Sequence, residues 1–179
     1  MARGGGRLRS QAWKLAYWLA LYAFGFAVSA RVDWGGILGL PSRALGLLLI
    51  ALAFALSASA GRHLRLYGKS RPSGFGQIDR LVTVGIYSCV RHPNHLGLAI
   101  LSLGLALSLD SLSHLLIATP VQVLGVVALV YLVEEPEVGR KFGREYEEYA
   151  RRVRGLVSDV PCLLRNLIPR AEPGAERPG

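Results

Sequence analysis

The chain has 179 residues, half of them hydrophobic, and a formal net charge of +9; the length suits one domain, and the apolar content argues against an ordinary soluble protein. Its 21 Lys and Arg fall as 4 before the first apolar block, then 2, 6, 0 and 9 in successive intervals, so that alternate segments hold 19 against 2. This pattern is what the positive-inside rule gives for a four-span protein with both termini and its polar loops cytoplasmic, and it favours anionic lipid over nucleic acid as the partner of the basic charge.

Four blocks lack Asp, Glu, Lys and Arg: Leu15 to Ala30, Ala44 to Gly61, Leu96 to Leu109 and Ser111 to Val133. A span needs about 20 mostly apolar residues. The fold class expected is therefore all-α and polytopic, with spans at about 13–30, 41–60, 93–109 and 111–133. Residues 1–12 read as a basic, Gly-rich cytoplasmic tail without structure. The first span resembles a signal peptide at Ala27 to Ala30, but its aromatics, Trp13 and Tyr17 among them, favour a retained helix. Pro41 opens the second span, whose Ala-, Gly- and Ser-rich end permits close helix contact. The basic loop that follows crowds its turn residues between Gly68 and Gly76, and His63 is expected at the membrane surface. LVTVGIY, from Leu81 to Tyr87, reads as an extended or irregular approach to the third span.

Pro93 suits the first turn of that span. From Leu96 to Leu109 it would be roughly 21 Å long against a hydrocarbon core of about 30 Å. Arg91, His92 and His95 should therefore border a recess open to the cytoplasm. Asp110 and Ser111 form a tight external turn, Pro120 should kink the fourth span, and that span returns Glu134 and Glu135 to the recess. Beyond it, Val138, Phe142, Tyr146, Tyr149, Val153 and Val157 make one apolar stripe, read as an interfacial amphipathic helix over about 137–157. It can also cover the recess, turning Tyr146, Tyr149 and Arg152 towards it. Residues 13–157 then form a single membrane domain and 158–179 a tail, disordered at least from about 170. Cys89 and Cys162, far apart and on the cytoplasmic side, read as free thiols.

Ionisable groups at the edge of a bilayer are expensive to hold, so two such clusters facing one another read as a functional site. The ordered pieces carry a resemblance. Leu81, Val82, Thr83, Gly85 and Tyr87, then Arg91, His92, Pro93 and Gly97, then Glu134 and Glu135, then Phe142, Gly143, Glu145, Tyr146 and Tyr149 follow a shared pattern. Across residues 77 to 157 the chain resembles the integral-membrane methyltransferases that include isoprenylcysteine carboxyl methyltransferase and the phospholipid N-methyltransferases. It departs from them at His95, where the family usually has Tyr, and at Arg154, where Pro commonly follows the Arg-Val pair.

The resemblance implies S-adenosylmethionine as methyl donor, bound between the hairpin and the tail without a Rossmann domain, and a lipophilic acceptor that enters from the lipid. It implies donor binding by Tyr87, Arg91, His92, Pro93, His95, Gly97, Glu134, Glu135 and Tyr146, with Glu135, His95 and Arg152 as catalytic candidates. The donor's carboxylate suits Arg91 or His92, and its ammonium or ribose suits Glu134 or Glu135. A carboxylate acceptor needs no base; an amine acceptor needs one, and Glu135 or His95 is the candidate. Three rivals stand beside this reading. A metal site can be drawn from the two histidines of HPNH and the glutamates, but membrane di-iron enzymes use many histidines and this chain has four, so no metal is expected. An NADPH-dependent membrane reductase would need more spans. A non-catalytic membrane subunit would use the polar cluster only to lock the hairpin.

Overall fold

The computed structural model describes residues 4–68, 78–156 and 159–168, and side chains from residue 12 onward. Helix α1 runs Gly4–Arg31 and α2 Leu40–Tyr67. A 3-10 turn, Gly85–Ser88, precedes α3, Pro93–Ser108. Helix α4, His114–Phe142, is one run of 29 residues with widened π turns at His114–Ala118 and Val130–Glu134. Two short helices follow, α5 Arg144–Arg152 and α6 Val160–Asn166. Among the described residues there is no strand. Helices α2 and α4 are long and apolar enough to cross a membrane, and α3 is a shorter apolar helix. Much of their apolar surface faces outward, with Leu48, Phe54, Leu124 and Leu132 each more than 60% exposed, as lipid-facing positions require.

The chain divides into two compact units, Met1–Leu49 with Ser102–Gly125, and Ile50–Leu101 with Val126–Gly179. In the first, Asp110 sits at positive φ and its carboxylate accepts from the backbone N–H groups of Ile37, Leu38 and Gly39 and from the Ser42 hydroxyl. It thereby binds the backbone N–H groups of the turn that enters α2 and places negative charge at that helix's positive end. Gly46 of α2 passes so near α3 that a Cβ would lie 2.3 Å from the Ser108 nitrogen. The Tyr17 hydroxyl donates to the Gly125 carbonyl at 2.9 Å, which ties α1 to α4. Pro120, lacking an N–H, is the second residue after the first π turn.

In the second unit, Gly97 of α3 packs on α2, where a Cβ would meet the Ala53 carbonyl at 2.9 Å and the Ser57 hydroxyl at 3.1 Å. The small residues at the end of α2 thus serve close helix contact. Ile86 and Val90 are fully buried around the 3-10 turn, each worth about 1.5–3 kcal/mol of burial outside the lipid; together they fix the segment that leads to Arg91.

Several expectations are corrected. The basic tail is helical from Gly4, because extending an existing helix costs far less than nucleating one; residues 1–3 lie outside the described residues, as do the loop at 69–77 and the tail from 169. The amphipathic helix over 137–157 is not one helix: Gly143, at φ 55°, ends α4 and starts α5, and the chain becomes extended at Val153. His63 is not at the surface but 2% exposed, its Nδ1 donating to the Ser59 carbonyl at 2.9 Å. Cys89 and Cys162 are joined as a disulfide, 73 residues apart in sequence. The fold brings α6 onto the 3-10 turn, a proximity that spacing alone does not reveal.

Candidate functional site

The site lies within the second unit, where the segment before α3 meets the second π turn of α4. Pro93, buried, is the first residue of α3 and fixes the chain's entry. It is flanked by His92 and His95, each 8% exposed, whose rings meet edge to face at 5.8 Å. Glu134 closes the π turn and Glu135 opens the α-helical stretch after it.

Arg91 organises the cluster. Its Nε and Nη2 donate to Glu135 Oε1 at 3.0 and 2.6 Å, and its Nη1 donates to the carbonyls of Ala150 and Val153 at 2.7 and 2.9 Å. Four of its five N–H groups are thus committed to the protein. His92 Nε2 meets the same Glu135 oxygen at 3.1 Å. Glu134 faces both imidazoles, with Oε2 4.0 Å from His92 Nδ1 and Oε1 3.7 Å from His95 Nε2. The nearest ligand atoms of His92, His95 and Glu134 all lie within 4.8 Å of one another.

The tail closes over this cluster by backbone and side chain. Arg91 N–H donates to the Arg154 carbonyl and His92 N–H to the Gly155 carbonyl, at 2.9 and 3.1 Å. The Tyr149 hydroxyl donates to the Tyr87 carbonyl at 2.6 Å. Tyr146 is 6% exposed, with the Arg91 guanidinium 6.0 Å from its ring centroid, and its hydroxyl oxygen is buried with no hydrogen-bond partner among the described residues.

Burial sets the electrostatics. It lowers the pKa of His92, against the raising pull of Glu135 and Glu134. The Tyr146 phenol is pushed up to about 12, first by burial and then by the negative charge of Glu135. Tyr149 and Tyr87 are also raised by burial, Tyr87 further by Glu134.

The structure therefore brings together Arg91, His92, His95, Glu134, Glu135 and Tyr146, with Pro93 and Tyr87 as part of the frame. Two predicted residues stand apart. Gly97 faces α2, as described, and Arg152 is exposed, its Nε donating to the Glu148 carbonyl of its own helix at 3.3 Å. What the sequence reading missed is the backbone part of the site: the carbonyls of Ala150, Val153, Arg154 and Gly155 carry no signal, since every residue has one.

A profile of the family described as phospholipid methyltransferase matches residues 41–145. A curated relative, the phosphatidylethanolamine N-methyltransferase of Paracoccidioides lutzii, is 32% identical over 172 residues; the match covers 87% of this chain and 17% of that protein's length. The solved structure of the eukaryotic intramembrane Ras methyltransferase ICMT (isoprenylcysteine carboxyl methyltransferase) is 19% identical, with a TM-score of 0.48, over 88% of this chain and 54% of that one. The family profile spans more than half of the sequence and includes every residue of the cluster except Tyr146, which lies one position beyond it; the chain belongs to the phospholipid methyltransferase family.

Proposed function

We propose that the chain is an integral-membrane methyltransferase that uses S-adenosylmethionine and methylates a lipophilic acceptor, either a phospholipid-type amine or an isoprenylcysteine-type carboxylate. In this reading it has four spans, at about 13–30, 41–60, 93–109 and 111–133, with both termini and the site on the cytoplasmic side and the segment after Glu135 at the interface. The carrying observation is the cluster of buried His92, His95 and Tyr146 with half-buried Arg91, Glu134 and Glu135, within and bordering the region matched by the family.

The residues fit the donor. Tyr146 offers a buried hydroxyl that makes no hydrogen bond among the described residues, and the donor's ammonium and ribose hydroxyls would meet the acceptor oxygens of Glu134. When bound, S-adenosylmethionine supplies a methyl group activated for direct displacement. Arg91 is engaged with Glu135 and the tail carbonyls, so its role is to position Glu135 and hold the cover; Glu135 in turn fixes His92. With Glu135 Oε1 already accepting three contacts, removal of a proton from an amine acceptor falls to His95. The enclosing tail limits water, and holding the two reactants in line supplies the main rate gain. An apolar cavity of about 320 Å³ in the same unit, lined by Leu52 and Leu56 of α2, Leu96 and Ile100 of α3 and Leu163 and Leu164 of α6, suits the acceptor's hydrocarbon.

The test is equilibrium binding of S-adenosylmethionine to the detergent-purified chain. Saturable binding is expected, weakened in Glu134→Gln by at least about tenfold through loss of one charge-assisted contact. Folded wild-type protein that binds no donor in detergent or in lipid overturns the reading and favours a non-catalytic membrane subunit.

A further inference from the structure

His95 is where this chain departs from the pattern it resembles, and its geometry gives that departure a chemical meaning. A phenol at this position would be a poor ligand for a divalent ion; an imidazole is a good one. His95 Nε2 stands 3.7 Å from Glu134 Oε1, and His92 Nδ1 stands 4.0 Å from Glu134 Oε2. One ligand atom from each of the three residues can be chosen so that all lie within 4.8 Å of one another. A tetrahedral ion with bonds of about 2.0–2.1 Å spaces its ligands roughly 3.3 Å apart, so each separation needs to shorten by at most about 1.5 Å.

The surrounding groups are those of a metal site. His92 turns Nδ1 towards Glu134 because its other nitrogen meets Glu135 Oε1 at 3.1 Å, and Arg91 holds that carboxylate at 2.6 Å. A carboxylate behind a ligating imidazole fixes ring orientation and raises ligand strength. Arg91 also balances the charge of Glu135, and Glu134 with the two imidazoles supplies three ligands, with a fourth position for water. Two nitrogens and one oxygen favour a borderline ion such as Zn2+ over Mg2+ or Ca2+, which take all-oxygen sites.

We propose that His92, His95 and Glu134 form a Zn2+ site created by His95, and that an ion held there excludes the methyl donor. The exclusion rests on the donor assignment above; binding of the ion does not. Expecting no metal from the sequence turned on the number of histidines, whereas the fold places two of the four against a single carboxylate.

The experiment uses the full chain in detergent with a histidine-free tag. Zn2+ is titrated in competition with a chromophoric chelator, and Co2+ is added as a probe whose visible absorption reports four-coordinate ligation. Wild-type protein should bind one ion per chain. His95→Tyr and Glu134→Gln should each lose at least about 100-fold in affinity, and Glu135→Gln, which removes only the supporting carboxylate, about 10–100-fold. Circular dichroism and monodisperse elution establish that each variant is folded. Equal affinity in wild type and His95→Tyr, or no stoichiometric ion in folded wild type, overturns the site. S-adenosylmethionine is then titrated with and without Zn2+. A rise in its apparent Kd proportional to bound Zn2+ supports exclusion, and simultaneous binding of both overturns exclusion. If the ion binds stoichiometrically while the donor never binds, the methyltransferase reading fails and the metal site stands.

Discussion

Gly85 shows how a single residue in the motif can be required by geometry. Its φ is 60°, and a Cβ there would lie 2.1 Å from His63 Nε2. Gly143 has nearly the same φ, 55°, but a would-be Cβ meets nothing within 4 Å among the described residues beyond its chain neighbours. Comparing the two separates backbone strain from collision. Gly143→Ala should lower stability by about 1–3 kcal/mol, the cost of holding a side chain in a sparsely populated positive-φ conformation. Gly85→Ala adds overpacking against His63 and should lose roughly 2–5 kcal/mol in all. Thermal unfolding in detergent measures both, and equal losses would show that the contact with His63 is not what requires glycine. The glycine was legible in the sequence as part of a pattern. Its partner was not, because His63 lies 22 positions earlier and reads as one more residue of a basic membrane-surface segment.

At the scale of elements, the turn between α3 and α4 does more than reverse the chain. Asp110 accepts from three backbone N–H groups before α2 and from Ser42, and these bonds hold its pKa at about 2, below the ordinary 3.8. A carboxyl depressed in the folded state contributes stability that is fully present above its unfolded pKa and is lost as pH falls through the folded one. The contribution should therefore be constant from neutral pH to about 4 and disappear between about 4 and 2. A pH series of unfolding temperatures checks this: Asp110→Asn should lower the neutral plateau and flatten the acid limb, and an unchanged acid limb would remove Asp110 as its cause. The helical blocks were readable from apolar runs, but the break of the tail at Gly143 was not. The apolar stripe continues across it in sequence, and only the positive φ and the packing of Tyr146 and Tyr149 against the site show two short pieces.

Across the whole molecule, the cysteine pair connects matters that charge and composition treat separately. The alternation of basic and charge-poor segments puts residues 89 and 162 on the expected cytoplasmic side, where thiols are kept reduced, yet the fold joins them with a Cα–Cα distance of 5.7 Å. The bond pins α6, which lines the apolar cavity with Leu163 and Leu164, to the 3-10 turn that leads into Arg91. Protein purified without reductant should show no thiol reactive to a maleimide under denaturing conditions and two after reduction. Cys162→Ser should be less stable by roughly 2–5 kcal/mol, as is typical for removing a disulfide. Two reactive thiols before reduction would show that the pair is not bonded in the purified chain.

The sequence by itself determined that the chain is helical and apolar in blocks, that its chemistry collects at Arg91, His92, His95, Glu134 and Glu135, and that these belong to one family pattern. Apolar runs, charge alternation and motif order are local properties, so they can be read along the chain. Tertiary structure alone decided which carboxylate each cation meets, that Arg91 serves Glu135 and the tail, that Arg152 stays outside, that Tyr146 is buried beside Arg91, and that two distant cysteines join. Those outcomes depend on distances between residues tens of positions apart and on backbone carbonyls common to every residue, and the packing of α2, α3, α4 and the tail fixes both.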